Sequence, residues 1–126
     1  MKNILTSLGL FLALISFMFY SHIKLNKACI EIIDISENLE ELINNEDWEG
    51  GYSKAIELID SVTQSSTPLS LYINHTEFDN ISSEAIKLTQ YIETTDEEDS
   101  LASIHLIKFS AETMLKLQEI RLKNIF

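Results

Sequence analysis

Residues 8–42 read LGLFLALISFMFYSHIKLNKACIEIIDISENLEEL, and the change of character inside this stretch decides the architecture. Its first part, residues 8–20, is built largely from Leu, Ile, Phe and Met, and the wider segment 3–23 carries no Asp, Glu, Lys or Arg. At about 1.5 Å rise per residue that segment covers roughly 30 Å, the thickness of a bilayer's hydrocarbon core. The second part is amphipathic. Leu25, Ala28, Ile32, Ile35, Leu39 and Leu42 recur at alternating intervals of three and four, while Glu31, Asp34, Glu37, Glu40 and Glu41 fall mostly off that stripe. Neither Gly nor Pro interrupts the chain from Leu10 to Glu49, so nothing obliges the helix to stop where the apolar part ends. The expectation is all-α: a transmembrane signal-anchor helix over residues 1–24 that continues into a small antiparallel helical bundle over residues 25–126.

Two other readings of the apolar segment compete with an anchor. A cleaved signal peptide has a hydrophobic region of about 7 to 15 residues followed by small residues at the cleavage site. This run is longer and ends in Phe19-Tyr20-Ser21-His22. A lipoprotein signal fails because Cys29 follows two lysines instead of closing the apolar run. Tyr20, His22, Lys24 and Lys27 instead form a collar of the kind that settles at a membrane surface, where apolar body and polar tip can separate. The flanking charges nearly balance across the segment, and the analogy with ordinary signal anchors favours an extracytoplasmic bundle.

Composition narrows the classes further. The chain has 126 residues, 45% hydrophobic and 23% charged, with 3 Gly and 1 Pro, which suits a small helical domain and excludes collagen-like, mucin-like or disordered chains. All 20 acidic residues, and every basic residue but Lys2, lie from Lys24 onward. So anionic a domain repels phosphates, and no nucleic-acid partner is expected. With 1 Cys, neither an internal disulfide nor a paired CxxC zinc site can form.

Three further helices follow by periodicity. Asn44-Asn45-Glu46-Asp47 supplies turn and cap chemistry for a second helix with the stripe Trp48, Tyr52, Ala55, Ile59 and Val62, its first turn weakened by Gly50-Gly51. Ser65-Ser66-Thr67-Pro68 breaks that pattern, with Thr67 as N-cap and Pro68 in the first turn of a third helix. The third stripe is Leu71, Phe78, Ile81, Ala85, Leu88 and Ile92, with a second place to start at His75-Thr76, where Thr76 and Asp79 make a capping-box-like pair. Residues 94–99 form another turn and cap, ahead of a last stripe of Leu101, Ile104, Ile107, Ala111 and Met114. The tail from Arg121 to Phe126 is compatible with either a docked extended segment or more helix.

Asn45-Glu46-Asp47-Trp48, the segment from Leu71 through His75, Glu77, Asp79 and Ile81, and the closing Leu122-Lys123-Asn124-Ile125-Phe126 together resemble the domain-of-unknown-function 4363 family of small membrane-anchored bacterial proteins. The resemblance covers essentially the whole chain and departs at Gly50-Gly51, where helix formers are usual. It implies a bacterial membrane protein with no assigned activity.

Candidate chemistry is sparse. His75 and Asp79 are one helical turn apart and share a face, with Glu77 pointing elsewhere; this polar cluster is the one candidate site, set against a histidine merely oriented at the core's edge. Two ligands are not a metal site, and the H-E-x-x-H pattern is missing. The run Asp96 to Asp99 lacks the alternating calcium loop and is read as capping. Trp48 and Tyr52 are read as core anchors rather than a stacking platform, and His105 as flanking the core. No nucleophile elbow or phosphate loop occurs, so no enzymatic activity and no cofactor are expected. The resulting expectation is a membrane-anchored interaction module or accessory subunit with a membrane-protein partner. The alternative is an extracytoplasmic ligand or metal sensor, and a tetratricopeptide-like scaffold is disfavoured for want of a second copy. The stripe from Leu25 to Leu42 also offers a homodimer through Leu25, Ile32 and Leu39, cross-linkable at Cys29, although folding back onto the chain's own helices is preferred.

Overall fold

The computed structural model describes residues 1–69 and 75–125, and side chains throughout these except at 66–69, 75, 121, 122 and 125. Four helices account for nearly all of it: α1 (Lys2–Asn44), α2 (Trp48–Leu69), α3 (His75–Glu93) and α4 (Glu97–Ile125). The 43 residues of α1 make a rod of about 65 Å. Its amino-terminal half stands clear of the rest, with only 6% of its most apolar window buried, and it is long and apolar enough to cross a membrane. Burial begins at Ser21 and Leu25 and continues through Ile43.

From there the helices run up, down, up and down, each packed on its two neighbours in a ring: α1 on α2 and α4, α3 on α2 and α4. The core follows the heptad spacing at Leu25, Ala28, Ile32, Ile35 and Leu39 on α1, at Phe78, Ile81, Ala85, Leu88 and Ile92 on α3 and at Ile104, Ile107, Ala111 and Met114 on α4, whereas Leu42 and Leu101 are only half-buried and Ile43 takes the buried place at the end of α1. Leu25, Ile32 and Leu39 are fully enclosed by the chain's own helices. The preferred fold-back is thus realised, and the stripe leaves no surface for the homodimer drawn through these residues. Cys29, also fully enclosed, cannot bridge two intact bundles.

Two departures from the sequence reading concern α2. It runs on through Thr67 and Pro68 to Leu69, so Pro68 lies in its last turn and does not open α3. Proline there withholds the amide that would bond the carbonyl one turn back, so the ladder weakens at Pro68 and α2 stops one residue later. The third helix starts instead at His75, and Leu71 and Asn74 lie outside the described residues. The buried face of α2 is also rotated: Gly51, Ala55, Leu58 and Val62 face inward, whereas Tyr52 is 37% exposed. Gly51 lies on this inward face, where a Cβ would stand 2.9 Å from Ile43 Cδ1, so α2 sits close against the end of α1.

The two hairpins of the bundle turn in the same way. At the α1–α2 turn the Glu46 N–H donates to Ile43 O at 3.0 Å and the Asp47 N–H to Leu42 O at 2.9 Å. At the α3–α4 turn the Thr95 N–H donates to Ile92 O at 3.0 Å and the Asp96 N–H to Tyr91 O at 2.9 Å. Both are Schellman closures with a left-handed residue, Glu46 at φ 60° and Thr95 at φ 52°. At a constant offset Leu39 matches Leu88, Ile43 matches Ile92, Leu58 matches Ile107 and Val62 matches Ala111, all buried. The two hairpins thus share turn geometry and burial register without sharing residue identity.

Candidate functional site

The candidate polar cluster lies on the first turns of α3. His75 opens the helix, and its side chain lies outside the described set. Glu77 is half-buried and lines a shallow groove between α3 and α4 with Asn80, Ser83, Glu84, Lys87 and Leu106. Asp79 is exposed and, two residues on, points to another side of the helix. Among the described residues no group of three or more His, Cys, Asp or Glu is placed to hold a metal ion.

The other polar residues serve structure. Asp96 caps α4: its Oδ1 accepts the Asp99 N–H at 3.1 Å. The Asp99 carboxyl is pushed above the ordinary carboxylate range by its hydrogen bond with Asp96 and by the adjacent negative charge. His105, read as flanking the core, is exposed and meets Glu40 Oε1 at 3.2 Å across α1 and α4; beside it Lys108 meets Glu37 at 3.3 Å. Exposed pairs like these contribute little stability but agree with an antiparallel α1–α4 register. Trp48 packs against the core from its margin, as a core anchor would.

The best-built polar arrangement sits where the bundle meets the apolar rod. His22 Nδ1 donates to Gln118 Oε1 at 3.0 Å, and Asn26 Nδ2 donates to His22 Nε2 at 3.2 Å, in the neutral tautomer that satisfies both contacts. Gln118 is 5% exposed and ties α4 to α1 at this level. Asn26 Oδ1 is buried without a hydrogen-bond partner. One turn toward the rod, Lys24 Nζ lies 5.1 Å from the Tyr20 ring centroid. His22 and its collar were legible in the sequence; Gln118 was not, because no local spacing connects residues so far apart.

A family model, Domain of unknown function (DUF4363), matches residues 19–125, which begin at this junction and include the whole bundle. The chain belongs to the DUF4363 family. Neither a curated protein nor a solved structure matches it. The DUF4363 match spans the bundle and its collar and begins within the apolar part of α1.

Proposed function

We propose that this DUF4363 protein is a single-pass membrane protein whose extracytoplasmic bundle is a non-enzymatic interaction module, an accessory subunit that presents an acidic surface to a membrane-protein partner. The observation that carries the reading is the continuity of α1: one unbroken helix leads from an exposed apolar half into the heart of the core. An exposed apolar run of that length is stable in lipid and unstable in water. Sidedness follows ordinary signal anchors, in which a long domain after the anchor is translocated largely regardless of its charge.

The sensing alternative would rest on His75 and Asp79, one helical turn apart at the start of α3. The test is chemical cross-linking in native membranes, which on this reading captures the chain in a heteromeric adduct; recovery of free monomer alone would contradict it. Sidedness is read by an impermeant maleimide on intact cells with an exposed reporter such as Glu46→Cys, because the enclosed Cys29 cannot report it.

A further inference from the structure

From the helix ends we infer that the last turns of α4, residues 119–125, form a second membrane element that enters the outer part of the bilayer beside the anchor and selects anionic lipid headgroups. The inference rests on the anchor reading above and adds to it. Its geometry comes from the His22–Gln118 hydrogen bond, which sets Gln118 level with the residue just outside the apolar run. Because α4 is antiparallel to α1 and continues to Ile125, its end descends about 10 Å further, alongside residues 15–21 of the rod. Consistent with cover at that depth, Ile15 is the one residue among 1–20 that is not exposed, and Ser21 is buried.

Charge and hydropathy at this end contrast with the rest of the molecule. Lys24, Lys27, Lys116 and Lys123 are all exposed there, with Arg121 in the same turns of α4, against a single carboxylate, Glu119, on the descending segment. More than half of the 9 basic residues thus gather at one end of a chain whose net charge is -11. Leu117 and Ile120, 45% and 50% exposed, stand at the level of Tyr20 and Ile23, which are also exposed. Exposed apolar side chains interleaved with lysines describe a segment that enters the outer part of the bilayer beside the anchor, its apolar side chains toward the acyl chains and its lysines reaching back to anionic phosphates.

The experiment uses the full chain reconstituted in vesicles of phosphatidylcholine, alone or mixed with an equal part of phosphatidylglycerol, with a headgroup-level lipid quencher. An environment-sensitive fluorophore is placed on Ile120→Cys, on Phe109→Cys about 16 Å further up α4, or on Leu12→Cys within the anchor, Cys29 being enclosed and left in place. Circular dichroism confirms the parental helix content of each. The expected result is several-fold stronger quenching at position 120 than at 109 in the anionic vesicles, reduced several-fold by Lys116→Glu with Lys123→Glu. Equal quenching at 120 and 109, with position 12 still in lipid, overturns the inference and leaves the anchor standing. No lipid signal at position 12 overturns the anchor itself. Equal quenching of position 120 in the two vesicle types overturns the selection of anionic headgroups.

Discussion

Asp47 and Asp96 hold the same place in two hairpins: each accepts the amide of the residue three further on, Gly50 at 2.9 Å and Asp99 at 3.1 Å, and each follows a residue in the left-handed conformation. The pair ties together the two halves of the domain, since each aspartate both closes one helix and starts the next.

Removing either cap leaves an amide of the first turn without its side-chain acceptor. Asp47→Ala and Asp96→Ala are each expected to destabilise the bundle by about 1 kcal/mol. Chemical denaturation of the full chain in detergent micelles, followed by helical circular dichroism, measures both. Because the caps are at separate turns, the double variant should lose the sum of the two.

Left-handed backbone at a residue with a Cβ is strained, and more so where that carbon is branched. Thr95→Gly is therefore expected to stabilise the chain by roughly 0.5–1 kcal/mol, with Glu46→Gly giving the smaller gain. The midpoint of thermal unfolding reads the order of the two.

Burial pushes the Cys29 thiol up to about 11 from 9.0. Being an acid whose folded value is raised, it leaves the folded state holding the proton while the unfolded state releases it. Its contribution is therefore complete below about pH 9 and declines as pH climbs to 11, a loss of about 2–3 kcal/mol. The stability profile of the parent should fall more steeply across that window than that of Cys29→Ala. At neutral pH a maleimide should modify Cys29 at the rate of global unfolding.

Gln118→Ala deprives the His22 Nδ1–H of its acceptor at a site water reaches poorly. The expected cost is about 1–3 kcal/mol, and His22→Ala should cost a similar amount. Since the two side chains share one bond, the double variant should lose less than the sum, with a coupling near 1 kcal/mol in a double-mutant cycle.

Much of this architecture was legible in residue spacing. Where Leu and Ile recur at three and four, as from Leu25 to Leu39 and from Phe78 to Ile92, burial follows the stripe because a helix has one face to hide. The boundary at Pro68 differs because the spacing rule puts proline in a helix's first turn, where the missing N–H costs nothing, whereas here it sits at the end of α2, where it costs one bond of the ladder. Tyr52 was placed inward because spacing alone ignores how closely Gly51 lets two helices approach. At the candidate site, the separation of Glu77 from Asp79 was readable from helical geometry, whereas the pairing of His22 with Gln118 required knowing that α4 returns to the level at which α1 leaves the lipid.

Carbonate extraction of native membranes, followed by the intact mass of the extracted chain, tests the central claim most directly. The account predicts the full-length chain in the membrane pellet with residues 1–20 still attached. A chain recovered in the soluble fraction, with its first residue beyond Tyr20, would contradict it.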